Sequence, residues 1–275
     1  MPGNKIYTRV YNVHGDDLVL SKIADVICVL MQRGVLICGF NDQNIPVSIH
    51  YNEYKKNLPL WILDFFEHQF INDPLLSDAE KVKAVFIGDN RNLIIPEKLY
   101  IEDEATDWLS KIHFIEQEDI VEEYPLTEEN AYYLMACSTG MRELIKIYFK
   151  KAVWRPLADY QFQNNTGKKN ENLHCCITPE QVFATLYHGG KLQWHQVFDY
   201  ETAEDIAYYL LLLCKETGID ATTLAIEPVA TSPVVSDTLD TLSQFFPGVT
   251  ASNAKNNTVW EPVIYLLQQL HACAS

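Results

Sequence analysis

Basic residues are scarce in this chain. Lys and Arg number 21 against 37 Asp and Glu, a formal net charge of −16, so there is no basic stripe with which to displace counterions from a nucleic acid backbone. A nucleic acid partner is excluded, and the surplus charge reads as a solubilising surface. No apolar run approaches the roughly 20 residues that span a bilayer, so no membrane insertion is expected. The stretch behind Met1-Pro2-Gly3-Asn4-Lys5 lacks the apolar segment of a secretory signal. No two cysteines are spaced as C-x-x-C. Cys28, Cys38, Cys137, Cys175, Cys176, Cys214 and Cys273 are scattered, mostly inside apolar runs, the pattern of reduced, buried thiols in a cytoplasm and not of a disulfide framework.

Motifs of common chemistries are also missing. No G-x-x-x-x-G-K-[ST], G-x-S-x-G or H-E-x-x-H occurs. His174-Cys175-Cys176 invites a zinc reading, but neighbours on a strand point to opposite faces and cannot all reach one ion. Glu201, Glu204 and Asp205 form a carboxylate cluster explained by placement in the first turn of a helix, where the dipole favours them. Tyr208 and Tyr209 read as packing. No catalytic residue and no metal ligand is assigned.

What is present is an internal repeat. Residues 26–70 and 173–214 each read as a strand hairpin, a third strand and a long apolar helix. Turns at Arg33-Gly34 and Asp42-Gln43-Asn44 and a helix opening after Asn57 recur, at nearly constant spacing, as Pro179-Glu180, Gly189-Gly190 and a helix opening after Thr202. A duplicated βββα unit predicts two pseudo-symmetric α/β lobes facing a cleft. In the first copy Pro59 is placed in the first turn of a helix carrying Leu60, Trp61, Phe65, Phe66 and Phe70. In the second, Gly189-Gly190 as central turn residues pair His188 with Lys191 and Thr185 with Trp194. Thr202 is the N-cap, Asp205 its capping-box partner and Gly218 the left-handed stop.

Between the copies, residues 82–87 read as a strand closed by Gly88-Asp89-Asn90, followed by Leu93-Ile94-Ile95-Pro96. Residues 102–129, dense in carboxylates, read as a solvated face. Residues 132–136 return to the sheet, and Ser138 or Thr139 caps a helix through Phe149. After the second copy come a strand at 222–226 and helices at 236–246 and 262–272. The expected organisation is an N-terminal lobe over 1–160, a polar connector over 161–172 and a C-terminal lobe over 173–275.

The run from Lys191 to Leu213, with Phe198-x-Tyr200-x-Thr202-x-Glu204-Asp205 followed by Tyr208-Tyr209-Leu210-Leu211, resembles the signature of an uncharacterised bacterial family with an actin-like ATPase fold. Leu93-Ile94-Ile95-Pro96 and Trp154-Arg155-Pro156-Leu157 are similar to its strand-plus-proline segment and lobe crossover. The resemblance implies an α/β architecture of two ribonuclease-H-like βββαβα lobes, that of the actin-like ATPase superfamily. It also implies where a nucleotide would sit: two hairpin turns, one per lobe, each with an Asp-x-Gly, and a Gly-Gly adenosine loop. Here the turns read Leu30-Met31-Gln32-Arg33-Gly34 and Ile177-Thr178-Pro179-Glu180-Gln181, without Asp-x-Gly, and the adenosine-loop position, residues 227–233, has no glycine.

Arg33, Gly34, Thr178, Glu180, Gln181 and Thr231 are the candidate cleft-lining residues. No cofactor is expected. The leading expectation is a non-enzymatic, cytoplasmic scaffold or binding protein with a degenerate nucleotide cleft and a protein partner, resembling in outline the actin-like members of type IV pilus assemblies. The alternative is an atypical ATPase or phosphotransferase using ATP and Mg²⁺, in which Asp89, Asp199, Glu180 or Glu227 supplies the metal ligand or base. A third reading is a small-molecule sensor.

Overall fold

The computed structural model describes residues 7–14, 21–163, 172–248 and 260–274. Strand β1 (Tyr7–His14) edges the first sheet. The first repeat block then supplies an antiparallel meander of β2 (Asp25–Met31), β3 (Gly34–Phe40) and β4 (Pro46–Tyr54). Helix α1 (Leu63–Asn72) crosses over, so that β5 (Val82–Gly88) lies parallel to β2, as a parallel pair requires. A second, smaller sheet is inserted here from β6 (Asn92–Pro96), β7 (Asp119–Leu126) and β8 (Ala131–Ser138), with α2 (Ala105–Ser110) against it. Helix α3 (Thr139–Tyr148) leads to β9 (Val153–Pro156), parallel to β5, and to α4 (Asp159–Gln163).

The second block repeats the plan with β10 (Asn172–Ile177), β11 (Gln181–His188), β12 (Lys191–Asp199), α5 (Ala203–Thr217) and β13 (Ala225–Ala230), the last parallel to β10. Helices α6 (Ser236–Phe245) and α7 (Glu261–Cys273) follow. Among the described residues the sheet orders are β1-β4-β3-β2-β5-β9, β12-β11-β10-β13 and β6-β8-β7.

Every residue of β3, and nearly every one of β2, is buried, which requires cover on both sheet faces. Phe65, Phe66 and Phe70 of α1 join this core, and α7 packs on β2, β4 and β13. One apolar core therefore runs through both lobes. At Gly88 the lobes approach so closely that a Cβ would lie 3.1 Å from both Leu157 and Phe183. All seven cysteines are free and buried. Among the described residues no helix is long and apolar enough to cross a membrane.

Several local expectations are corrected. Helix α1 opens five residues late because Trp61 adopts a left-handed φ of 53° and donates its N–H to Gln32 O at 2.9 Å, a geometry that cannot propagate a right-handed helix. Thr185 pairs with His195, not Trp194, because a bulge at Leu186/Tyr187 shifts the register while His188 still pairs with Lys191. Residues 102–129 do form a solvated face, with most of their carboxylates exposed, but one with its own secondary structure. They hold α2 and β7, whose Asp119 and Glu122 are neutralised by Arg91 and Arg142. Strand β8 joins the inserted sheet instead of the first one. The strand after α5 starts at Ala225, since Asp220 draws Thr222 and Thr223 into a turn. The polar connector cannot start at Gln161, which is fully buried in α4, and Asn172 already pairs in β10; residues 164–171 lie outside the described residues. The α5 capping box and the left-handed Gly218 are as expected.

Candidate functional site

The β2–β3 and β10–β11 turns meet where the lobes join. The first turn is Gln32-Arg33, with Gly34 already in β3 opposite Met31. Space and not backbone freedom suits Gly34 to its place, since a Cβ would lie 3.2 Å from Asn52 O. Arg33 reaches across the junction. Its Nε lies 3.1 Å from both carboxylate oxygens of Glu180, and its Nη1 donates to the carbonyl of Leu58, with Pro59 O at 3.4 Å. The guanidinium stands 5.9 Å from the Tyr54 ring centroid, and the Tyr54 hydroxyl donates to Gln32 O at 2.7 Å. One cation thus ties together both turns and the loop that holds Trp61 left-handed.

The second turn is satisfied from within. Thr178 N–H donates to Gln181 O at 2.8 Å, Pro179 has no N–H, and the N–H groups of Glu180 and Gln181 donate to Thr178 Oγ1 at 3.4 and 2.9 Å. Those are the donors that a phosphate-cradling turn would aim at its ligand. Tyr200 Oη adds a bond to Thr178 O at 2.6 Å, and Gln181 Nε2 donates to Asp199 at 2.9 Å. Burial pushes the Glu180 carboxyl up, and the neighbouring Arg33 opposes the rise.

The space left between the turns is about 30 Å³, room for a water or two and roughly a tenth of the smallest ordinary ligand pocket. Arg33, Gly34, Thr178, Glu180 and Gln181 line it together. Thr231 does not, because it is fully buried with its N–H on Ile177 O. Tyr54, Lys56 and Tyr200 also belong to this neighbourhood, and only the fold brings them there.

A family model described as a protein of unknown function (DUF3822) matches residues 26–249. The chain belongs to the DUF3822 family. A structure from Bacteroides thetaiotaomicron, a protein with an actin-like ATPase fold and unknown function, is similar at a TM-score of 0.70 and 17% identity, over 91% of this chain and 99% of that one. The PilM–PilN type IV pilus biogenesis complex is similar at a TM-score of 0.55 and 11% identity, over 92% and 99%. At such identities the likeness shows the fold, a mixed α/β actin-like ATPase fold with two lobes. No curated protein matches the sequence.

In this DUF3822 chain the carboxylates named for metal or base chemistry are engaged in structure. Asp89 is buried and takes three bonds from Arg91. Asp199 accepts from Gln181 and Asn90, and Glu227 lies 3.4 Å from His174. No group of three or more His, Cys, Asp or Glu suited to a metal occurs among the described residues. One constellation went unnoticed in the sequence: Ser48 Oγ lies 3.4 Å from His50 Nε2, and His50 Nδ1 lies 2.8 Å from Asp73. It has the order of a nucleophilic triad. It sits inside the first sheet with Ser48 2% exposed, and Asp73 also caps the turn at Leu75, so no substrate reaches it.

Proposed function

We propose that this protein is a non-enzymatic binding scaffold, cytoplasmic in a bacterium, built on a duplicated actin-like fold whose nucleotide cleft is latched shut and whose working ligand is another protein. The observation that carries the reading is the Arg33–Glu180 latch across about 30 Å³ of space, combined with a second turn that spends its N–H groups on Thr178. A nucleotide would have to break the ion pair, find donors already in use and open more than ten times the volume. The phosphotransferase alternative would also have to free Asp89 from Arg91 and Asp199 from Gln181. The PilM–PilN complex supports the reading only in that the same fold occurs in a complex with a second protein.

Calorimetric titration with ATP and Mg²⁺ into the millimolar range tests the closed cleft. The expected result is no binding heat and no shift in melting temperature. Saturable binding would overturn the reading and bring forward the ATP-dependent alternative.

A further inference from the structure

Helix α5 has two unlike faces. Ile206, Ala207, Leu210 and Cys214 are buried in the core, and α6 packs beside them. The outer face carries apolar side chains that stay exposed. Tyr208 is 62% exposed, and Leu211 and Leu212 are exposed beside it. Tyr209 packs as its sequence suggests, with its ring centroid 4.8 Å from that of Phe198, but Tyr208 has only the edge of Tyr209 at 5.5 Å as a ring contact among the described residues. A single exposed tyrosine needs no explanation, whereas three large apolar side chains within little more than one helical turn form a patch.

The charges at its ends make this face complementary to itself. Glu204, Tyr208, Leu211 and Lys215 are all exposed and recur at spacings of four, three and four, the period that keeps a stripe on one side of a helix. Turned over a two-fold axis between positions 208 and 211, the stripe of one copy lies antiparallel on that of another. Tyr208 then meets Leu211 of the second copy, and Glu204 meets its Lys215. The axis repeats each contact, and opposite ends of the helix dipoles come side by side. A parallel pairing would instead set Glu204 on Glu204 and Lys215 on Lys215. Neither side chain has a partner among the described residues, so no existing ion pair is given up.

Net charge and area set the strength. The charge of −16 on each copy opposes approach at low salt, but at physiological ionic strength charges beyond about 8 Å are screened, which leaves the local pairs to decide. A helix of 15 residues is about 22 Å long, and a pair of them buries less than the roughly 800 Å² per partner of a standard interface. The contact is therefore weak and reversible.

We infer that α5 docks on α5 of a second copy of this chain, antiparallel across a two-fold axis, with Tyr208, Leu211 and Leu212 at the centre and a Glu204–Lys215 ion pair at each end. This surface is separate from the closed cleft, which lies at the two turns.

Sedimentation velocity of the full chain at about 0.15 M salt, over concentrations from about 1 to about 500 µM, tests it. The expected result is a concentration-dependent shift from monomer to dimer. Lys215→Glu and Glu204→Lys each set like charges together at both ends and are expected to weaken association at least about tenfold. The chain carrying both substitutions is expected to regain it, since the swap restores each pair with its signs reversed. Tyr208→Ser, at the centre of the patch, is expected to lose at least about tenfold as well. All three positions are exposed, so unchanged melting temperatures will report an intact fold. A chain that stays monomeric at every concentration would overturn the inference. So would a dimer unmoved by the single substitutions, a double variant no stronger than the single ones, or a mass that keeps growing with concentration, the mark of an open head-to-tail assembly. The two proposals fail separately: ATP binding leaves the dimer standing, and a monomer leaves the closed cleft standing.

Discussion

The two lobes run the same βββα–β plan and use it differently. The first sheet carries the order β4-β3-β2-β5-β9 with β1 added outside, whereas the second stops at β12-β11-β10-β13 among the described residues. Their equivalent turns diverge further. The first projects Arg33 outward as a clamp on Glu180 and on the loop before α1. The second folds its own N–H groups onto Thr178. Their helices start for different reasons as well. Helix α5 begins at a capping box within its own sequence, while α1 has no side-chain cap and begins where Trp61 is pinned to Gln32. A shared topology thus leaves each lobe free to assign its turns to charge, to self-satisfaction or to neither, and a cleft needs both turns to cooperate.

The sharpest way to break the comparison is to strip α1 of its tertiary anchor. Phe66→Ala in the fully buried face of α1 is expected to destabilise the chain by about 3–5 kcal/mol, read by chemical denaturation. A milder result would mean that α1 holds itself as α5 does. Acid separates the lobes next. Burial depresses the His195 imidazole to about 3, below the roughly 6.5 of an unfolded histidine. Below about pH 6.5 the unfolded chain therefore binds a proton that the folded chain refuses. Stability should fall by up to about 1.4 kcal/mol per pH unit until about pH 3, and His195→Phe should flatten that slope in denaturation curves collected against pH.

The latch is asymmetric. Arg33→Ala leaves a half-buried carboxylate unpaired and should cost about 1–2 kcal/mol in urea unfolding. Glu180→Gln should change stability by less than about 0.5 kcal/mol. The sign follows from the raised Glu180 carboxyl: its ionised form is less favoured folded than unfolded, so a neutral residue there relieves a burden. Equal losses from both substitutions would mean that the pair is a net source of stability. The smallest effect expected from a truncation is that of the local cap, Thr202→Ala, at about 1 kcal/mol, measured as a shift in melting temperature.

Legibility tracked the range of the forces involved. Thr202 with Asp205, Gly218 and the left-handed Gly189 and Gly190 are neighbours in sequence, and their hydrogen bonds and φ values were readable there. Five of the six cleft candidates meet because the repeat register places both turns at equivalent ends of equivalent strands. Thr231 was misplaced because its position depends on where β13 starts, which the Asp220 turn delays. The Thr185–His195 pairing was missed for want of one bulge residue, and with it the Gln161–Thr185–His195 chain, whose members come from α4, β11 and β12.

By itself the sequence determined the acidic surface, the repeated βββα plan, the α5 cap and the absence of phosphate-binding Asp-x-Gly turns, because composition, periodicity and i-to-i+3 contacts are local properties of a chain. The tertiary structure alone decided that Arg33 reaches Glu180, that the space between the turns shrinks to a water or two, and that His195 is buried against Thr185, Phe162 and Tyr133. Each of these depends on which distant side chains come within about 3 Å of one another, and a hydrogen bond loses its strength within an ångström of that distance.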